Sequence, residues 1–257
     1  EEVVEAARRQ IAKRPPLDLT FADESEAQRY ATDHGGISLA PRHVRLESSS
    51  VTELAGFGEG DWWVQDLAAS LPARLMPSDA ADVLDLCAAP GGKTMQLAAG
   101  GHKVTGVDLS KSRLGRLREN LGRTHLDATL VEADALQWNP RHTFDAILLD
   151  APCSATGTFR RHPEVLYRAK PRIIAANADL QTQLLARAAE WLKPGGTLVY
   201  SVCSLEPQEG EQVIERFIAE RDDFTLAPLD GLPPFAAPSR GGFARIQYLL
   251  RTPPGTQ

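Results

Sequence analysis

The sequence lacks several features that would assign it to a class at once. No apolar run approaches the roughly 20 residues that a membrane-spanning helix needs, and the N-terminal Glu-Glu-Val-Val-Glu lacks the apolar core of a signal peptide. Cysteines occur only at Cys87, Cys153 and Cys203, without a CxxC pair, so neither a disulfide framework nor a zinc cage is indicated. We therefore expect a cytoplasmic protein with reduced cysteines, no metal site and no membrane contact.

A surplus of positive charge is also missing. Lys and Arg number 28 against 34 Asp and Glu, which gives a net charge of −6. Proteins that bind nucleic acid through its phosphates usually carry the opposite balance. The composition therefore argues mildly against a nucleic-acid partner, unless the basic residues are clustered on one surface.

The pattern of secondary structure changes along the chain, with a boundary near residue 60. Residues 1–60 predict a small α+β subdomain, with a helix at Glu1–Arg14, a strand at Leu17–Phe21, a helix after Asp23 and a strand at Val44–Leu46. A loop is predicted at residues 48–60 and a helix from Trp62 to Leu75. Beyond Ala81, strands alternate with helices, and two last strands are predicted at Phe224–Leu226 and Phe243–Arg251. This order predicts an α/β domain over residues 61–257 with a parallel, doubly wound sheet.

Reactive or acidic residues follow five consecutive predicted strands of this domain. They are Cys87 to Lys93, Asp108, Asp134, Asp150 to Cys153, and Cys203. Ligands of open α/β sheets bind beyond the carboxyl ends of the strands, so we expect these residues to line one site.

The loop after the first of these strands favours a ligand that approaches the backbone closely, because it contains the small residues Ala88, Ala89, Gly91 and Gly92. Its end, Gly92-Lys-Thr94, copies a phosphate-binding P-loop. However, Cys87 stands where that motif needs glycine, and Pro90 lacks the N–H that would contact phosphate. No G-x-G-x-x-G dinucleotide motif is present either.

Two acids predict a nucleoside ligand. Asp108 lies at the distance from the loop where a carboxylate accepts hydrogen bonds from ribose hydroxyls, and it also suits the N-cap region of the helix at Ser110. Asp134 suits an acceptor for an adenine amino group, or else is a solvated loop acid. A nucleoside without phosphates to neutralise indicates S-adenosylmethionine.

Three long motifs together resemble the Sun/Fmu family of RNA cytosine-C5 methyltransferases, the RsmB/Nop2 superfamily. They are Cys87-Ala-Ala-Pro-Gly-Gly-Lys-Thr94, Asp150-Ala-Pro-Cys-Ser-Ala-Thr-Gly-Thr158 with Arg160-Arg-His-Pro163, and Tyr200-Ser-Val-Cys-Ser204. Within the family, the bacterial 16S ribosomal RNA branch is the most similar. The resemblance implies a class I, Rossmann-like S-adenosylmethionine-dependent fold with a mixed seven-stranded sheet. It also implies cofactor contacts from Cys87, Ala88, Ala89, Pro90, Gly91, Gly92, Lys93, Asp108, Asp134 and Asp150.

The resemblance further assigns roles to the two later cysteines. Cys203 matches the nucleophile that adds to carbon 6 of cytosine and thereby activates carbon 5, a form of covalent catalysis. Cys153 matches the residue on which release of the enzyme depends, directly or through an ordered water. Asp150 can hydrogen-bond the base, and Lys93 can orient Asp150 or the base. Cys87 is expected to be a small, buried residue of the cofactor loop.

RNA is the partner that the resemblance implies. Candidate RNA contacts are the two local basic groups, Arg160, Arg161 and His162 beside the Cys153 loop and Arg42 and Arg45 before the catalytic domain. Trp62 and Trp63 are expected to pack in the core rather than to stack on RNA. We expect a monomer, and members of this branch often carry a further NusB-like domain on the N-terminal side. Transfer RNA as substrate, or a non-catalytic adaptor in ribosome assembly, remain alternatives.

Overall fold

The structure, a computed structural model, describes residues 15–47, 50–227 and 248–251. The helix predicted at Glu1–Arg14 and the start of the last predicted strand lie outside these residues. Within the described part of the chain, no helix is long and apolar enough to cross a membrane. The described residues also contain no group of three or more His, Cys, Asp or Glu placed to hold a metal ion.

The small N-terminal unit is an antiparallel sheet covered by a helix. Strand β1 (Leu17–Phe21) lies between β2 (His43–Leu46) and β3 (Trp62–Val64). Helix α1 (Glu24–Asp33) begins at Asp23, whose carboxylate accepts from Glu26 N as an N-cap. Tyr30 of α1 packs with buried residues of all three strands in one apolar cluster. The strand, helix and strand predicted for residues 17–46 are confirmed.

The helix predicted from Trp62 is wrong over its first turn. Trp62 to Val64 form β3, and the helix, α2 (Leu67–Arg74), begins only after Asp66, whose side chain accepts from Ala68 N. Aromatic side chains suit a half-buried strand, and Trp62 and Trp63 are both buried, so their predicted core packing is confirmed. A domain division at residue 60 would separate β3 from its sheet.

The larger unit is built on a seven-stranded mixed sheet, as the resemblance implied. Its strands are β4 (Asp82–Leu86), β5 (Lys103–Asp108), β6 (Thr129–Glu132), β7 (Phe144–Asp150), β8 (Leu192–Ser201), β9 (Thr225–Leu226) and β10 (Tyr248–Arg251), in the order β6-β5-β4-β7-β8-β10-β9. The first five are parallel, and β10 runs antiparallel to both β8 and β9. The carboxyl ends of the five parallel strands therefore meet at one edge.

Helices cover both faces of this sheet and bury its apolar strands. They are α3 (Gly92–Ala99), α4 (Lys111–Arg123), α5 (Val165–Arg168), α6 (Pro171–Glu190) and α7 (Glu211–Glu220). Residues of α6 and α7 form one core with the sheet, while α2, α3 and α4 contribute to clusters that include residues of the other face. Continuous apolar strands such as Ala146 to Leu149 are expected where both faces are covered.

Residues 193–196, Lys-Pro-Gly-Gly, form an irregularity inside β8. The pairing with β7 shifts there, because Phe144 lies opposite Leu192 but Ala146 lies opposite Thr197. Gly195, at φ 80°, adopts a backbone conformation that glycine reaches easily. The strand regains register before Ser201, which fixes the position of the loop that follows.

Candidate active site

The two cysteines that follow neighbouring strands meet in the structure. Cys153 follows β7 and Cys203 follows β8, and these strands pair in parallel up to Asp150 and Ser201. The two Sγ atoms are 3.4 Å apart, a distance that allows a hydrogen bond, and both thiols are free. Cys203 is exposed and Cys153 is half-buried. The residue expected to be the nucleophile is therefore open to a substrate and in contact with the second sulfur.

The hydrogen bond between the sulfurs shifts the pKa values of the two thiols in opposite directions. This bond raises the pKa of the Cys153 thiol well above its usual range, and burial raises it further. The same bond lowers the pKa of Cys203, although burial and the Asp150 carboxylate oppose this effect, and the Lys93 ammonium lowers it too. A thiolate is the attacking form of cysteine, so the arrangement favours Cys203 as the nucleophile.

Lys93 and Asp150 form an ion pair at the same strand tips. Lys93 Nζ donates to Asp150 Oδ2 at 2.7 Å, and Ser201 Oγ donates to Asp150 Oδ1 at 2.8 Å. Burial lowers the pKa of the Lys93 ammonium, but the Asp150 carboxylate outweighs burial and raises that pKa overall. The Asp150 side chain is 34% exposed and its oxygens keep unused lone pairs. It can therefore accept a further hydrogen bond from a ligand.

The loop from Cys87 to Gly92 packs closely on its neighbours. Gly91 has φ 111°, and a Cβ built on it would lie 2.0 Å from Leu117 Cδ1 of α4, so this position needs glycine. By contrast, a Cβ on Gly92 would meet nothing closer than 3.6 Å. Cys87, expected to be buried, is half-buried, and burial with the nearby Asp108 and Asp150 raises the pKa of its thiol to about 12.

Asp108, expected to bind ribose, lies at the end of β5 against this loop. Its Oδ2 accepts from Ala89 N at 3.2 Å, and its Oδ1 accepts from Ser110 N at 2.8 Å and from the Arg113 guanidinium at 2.9 Å. The side chain is buried. Asp108 thus ties the loop to the start of α4, while the helix itself is capped by Ser110.

Asp134, expected to bind adenine, lies after β6 and organises its own turn. Its carboxylate accepts from Leu136 N at 3.0 Å and from Gln137 Nε2 at 2.9 Å. The residue is half-buried, which leaves part of the carboxylate accessible to a ligand. Its role toward adenine stays a prediction.

The charged groups at these strand ends fit a nucleoside that carries a positive charge and no phosphate. Asp108, Asp134 and Asp150 supply carboxylates at three strand tips, whereas the nearby Lys93 is already paired with Asp150. Phosphate would meet repulsion from these carboxylates, while a sulfonium cation would be attracted by them. The residues present therefore suit S-adenosylmethionine.

Three of the candidate RNA contacts, Arg42, Arg45 and Arg161, use their guanidinium groups within the protein. Arg161 donates to Asp66 at 3.2 Å and to Pro16 O at 2.8 Å, so it joins the Cys153 loop to the N-terminal unit. Arg45 donates through two nitrogens to buried Asp18. Arg42 donates to Ala99 O at the end of α3, which is the end of the helix away from the strand tips. Arg160 and His162 follow the Cys153 loop directly in the chain, and His162 Nδ1 lies 3.2 Å from Glu164.

Sequence reasoning missed three polar residues that shape this site. Ser201 orients Asp150, and buried Glu209 holds the residue next to Cys153. Asp85 accepts from Thr94 Oγ1 at 2.6 Å, and its other oxygen is buried without a partner in the described residues. A Ser at a strand end and an acid at a helix start are ordinary features, so no pattern in the sequence pointed to Ser201 or Glu209. An Asp within the apolar strand Asp82–Leu86 was a signal for Asp85.

Comparison with known proteins agrees with this geometry. A family model for 16S rRNA methyltransferase RsmB/F matches residues 72–240. Relatives named ribosomal RNA small subunit methyltransferase B include those of Erwinia tasmaniensis, 44% identical over 215 residues, and Proteus mirabilis, 40% identical over 213 residues. These matches cover 81% and 80% of this chain and 49% of each relative. The chain thus spans about half the length of the relatives it matches.

Two solved structures share the fold. A methyltransferase homolog protein from Pyrococcus horikoshii is 29% identical, with a TM-score of 0.78, and the match covers 98% of this chain and 90% of that one. NSun6 from Pyrococcus horikoshii with SFG is 28% identical, with a TM-score of 0.67, over 82% of this chain and 56% of that one. The fold is that of Rossmann-like S-adenosylmethionine-dependent methyltransferases, and S-adenosylmethionine is indicated as the cofactor. The chain belongs to the RsmB/F family of 16S rRNA methyltransferases.

Proposed function

We propose that this chain methylates carbon 5 of a cytosine in 16S ribosomal RNA, with S-adenosylmethionine as methyl donor and Cys203 as nucleophile. The observation that carries the proposal is the contact of two free sulfurs, 3.4 Å apart, beside the Lys93–Asp150 ion pair. The relatives named small subunit methyltransferase B support ribosomal RNA as the substrate.

The first step is addition of the Cys203 thiolate to carbon 6 of the cytosine ring. The sulfur–carbon bond forms, and the electrons of the ring double bond make carbon 5 nucleophilic. Asp150 accepts a hydrogen bond from the amino group of the base, and Lys93 and Ser201 hold the carboxylate for this contact. The bound cofactor supplies an electrophilic methyl group to carbon 5.

The second step frees the enzyme and depends on Cys153. Once Cys203 is bonded to carbon, its negative charge no longer raises the pKa of the Cys153 thiol, so Cys153 can lose its proton to solvent. The Cys153 sulfur, directly or through a water, then takes the proton from carbon 5 while the bond to Cys203 breaks. Cys153 ends as a thiol and Cys203 as a thiolate, as at the start, and the proton released to solvent is the net proton of the reaction.

The residues at the carboxyl ends of β4, β5 and β6 would hold the cofactor. The small loop residues from Cys87 to Gly92 would let it approach the backbone closely, with Lys93 at their end. Asp108 would accept hydrogen bonds from the ribose hydroxyls and Asp134 from the adenine amino group, and Asp150 would contact both cofactor and base. Because Asp108 already accepts from Arg113, ribose would share that oxygen or displace the guanidinium.

The RNA surface proposed here is centred on the residues after Cys153. Arg160 and His162 are within ten residues of Cys153, and Tyr167, which is 83% exposed, follows them with Arg168. Arg161 supports this surface through its contact with Asp66. Arg42 and Arg45 stay predicted contacts, although their guanidinium groups are engaged within the protein. The target base must leave its stack to reach Cys203.

We further propose that the chain acts as a monomer in the cytoplasm and that a NusB-like RNA-binding domain assists it. The greater length of the relatives supports an additional domain.

A methyl-transfer assay with labelled S-adenosylmethionine tests the function. The substrates are 16S RNA and transfer RNA from cells that lack the gene, each deproteinised, followed by mapping of 5-methylcytosine. We expect label in 16S RNA at a cytosine. Label only in transfer RNA would leave the chemistry standing and overturn the substrate. No label in either RNA, with 5-methylcytosine unchanged in cells without the gene, would favour the adaptor and reject the proposal.

A further inference from the structure

Glu209 is a buried carboxylate that the reaction described above does not use. It lies in the short turn Pro207–Glu209 between β8 and α7 and is fully buried. Its Oε1 accepts from Ser154 N at 2.8 Å and from Asn177 Nδ2 at 2.8 Å, and its Oε2 accepts from Ser154 Oγ. A buried carboxylate held by uncharged donors is costly, so its position calls for a physical role.

The contacts of Glu209 join three separate segments. Ser154 is the residue after Cys153, Asn177 belongs to α6, and the Glu209 carbonyl accepts from Tyr200 Oη of β8 at 2.7 Å. The carboxylate therefore fixes both the backbone and the side chain of the residue next to Cys153 against two rigid elements.

The hydrogen bonds continue from Ser154 to the loop that carries Cys203. Ser154 Oγ lies 3.0 Å from Ser204 Oγ, which lies 3.3 Å from Thr156 Oγ1. Leu205 N donates to Thr156 Oγ1 at 2.8 Å, and Gly157 N donates to the Cys203 carbonyl at 2.9 Å. The residues that follow the two cysteines are thus bound to each other.

The Glu209 carboxylate at the end of this series of hydrogen bonds also sets which hydroxyl donates in each bond. A carboxylate only accepts, so Ser154 must donate to Glu209, and its oxygen is free to accept from Ser204. Ser204 in turn accepts from Thr156, whose oxygen accepts from Leu205 N. The Glu209 carboxylate therefore fixes the orientation of the Ser154, Ser204 and Thr156 hydroxyls.

We propose that Glu209 is a positioning residue that holds Cys153 in contact with Cys203 and thereby controls release of the methylated base. This inference rests on the proposed function. Glu209 bonds directly to the residue after Cys153, whereas it reaches the residue after Cys203 only through Ser154 Oγ. Loss of Glu209 should therefore displace Cys153 more than Cys203, and should affect release more than attack.

The test compares Glu209→Ala, Glu209→Gln and Ser154→Ala with the wild type. Glu215→Gln, at an exposed position of α7, is the matched control. A single-turnover assay with excess enzyme measures methyl transfer, a multiple-turnover assay measures release, and a denaturing gel measures covalent protein–RNA complex. We expect Glu209→Ala to lower turnover by tenfold to about 100-fold, the effect of a misplacement of about 1 Å. Single-turnover transfer should fall far less, and covalent complex should accumulate.

Glu209→Gln keeps the size of the side chain, so it remains informative where the alanine variant does not fold. Its amide must place a donor against Ser154 Oγ or against N–H groups that already donate, and we expect an intermediate loss of turnover with some trapped complex. Ser154→Ala should resemble it, and Glu215→Gln should equal the wild type. Equal loss of single-turnover and multiple-turnover rates without complex, or wild-type rates in Glu209→Gln, would overturn the proposal.

A second readout needs no RNA and separates this inference from the proposed function. The pH profile of Cys203 alkylation reports its contact with Cys153, so Glu209→Gln should move that profile to higher pH. If the wild type transfers no methyl group but this shift is observed, the function fails and the positioning role stands. An unchanged profile in Glu209→Gln and Glu209→Ala would reject the positioning role itself.

Discussion

Two carboxylates of this chain, Asp18 and Asp150, each pair with a cation but differ in what surrounds them. Asp18, in the N-terminal sheet, accepts from Arg45 at 2.7 and 2.8 Å and from Leu67 N at 2.9 Å, and its side chain is fully buried. Asp150 accepts one bond each from Lys93 and Ser201 and is 34% exposed. An enclosed carboxylate with three donors can only hold elements together, whereas a half-open one can also meet a ligand.

The pKa of Asp18 agrees with a structural role. Burial raises it, but hydrogen bonds from Arg45 and Leu67 N, with His43 Nε2 3.4 Å from Oδ1, outweigh burial and hold the pKa below its usual range. A lowered pKa contributes stability that is present above the unfolded-state pKa and is lost only in acid. Asp18 therefore joins β1, β2 and the start of α2 at any pH where the enzyme would work.

The largest effect expected at the strand tips is loss of activity without loss of stability. Cys203→Ala should abolish turnover, because no other described thiol combines exposure with a lowered pKa. Cys203 is exposed, so the free energy of unfolding should change by less than about 0.5 kcal/mol. Methyl transfer and urea unfolding measure the two quantities. Measurable turnover in this variant would remove Cys203 from the mechanism.

The largest effect expected at Asp18 is the opposite, a loss of stability without a change in the chemistry of Cys203. Asp18→Ala leaves Arg45 and Leu67 N without their acceptor, and breaking a buried ion pair costs about 3–5 kcal/mol. Urea unfolding should show this loss, while Cys203 alkylation in the folded variant should keep its pH profile. Asp223→Ala is the control, because that carboxylate is exposed and its pair with Arg221 is worth at most about 1 kcal/mol. A loss below that of the control would end the contrast between the two sites.

The difference between these sites also explains what the sequence could predict. The loop at Cys87 and the two later cysteines lie in continuous motifs at strand ends, so topology alone brings them together. The ion pair of Asp18 depends on which nearby basic side chain points into the protein. In the sequence, Arg45 suited an RNA contact as well as an ion pair. Trp62 was misassigned because an apolar stretch of three residues fits a short strand as well as the first turn of a helix. Glu209 was missed because its partners lie 32 and 55 residues away.

A smaller effect concerns the proton shared by the cysteines. Iodoacetamide should alkylate Cys203 first at neutral pH, since the pKa of Cys153 is raised and that of Cys87 is about 12. Cys153→Ala removes the hydrogen bond that lowers the Cys203 pKa, so the alkylation profile should move to higher pH. Cys87→Ala should leave it unchanged. Peptide mass spectrometry assigns the modified residue. An alkylation profile that is the same in Cys153→Ala and in the wild type would contradict the lowering of the Cys203 pKa by Cys153.

The smallest effect expected concerns the pH dependence of stability at Asp85. This carboxylate is buried, and one of its oxygens has no hydrogen-bond partner among the described residues. Burial raises its pKa from 3.8 to about 7, although the hydrogen bond from Thr94 opposes this. The folded state therefore holds a proton that the unfolded chain releases, and this contribution to stability is complete below pH 3.8 and lost as the pH rises through about 7. Asp85→Asn cannot titrate, so its melting temperature relative to the wild type should rise between about pH 4 and 7 and stay level above that. Asp145→Asn is the control, because hydrogen bonds from Lys193 and Asp82 N lower the pKa of Asp145 and place its effect in acid, outside this window. A difference between Asp85→Asn and wild type that stays constant with pH would mean that Asp85 is ionised in the folded protein despite its enclosure.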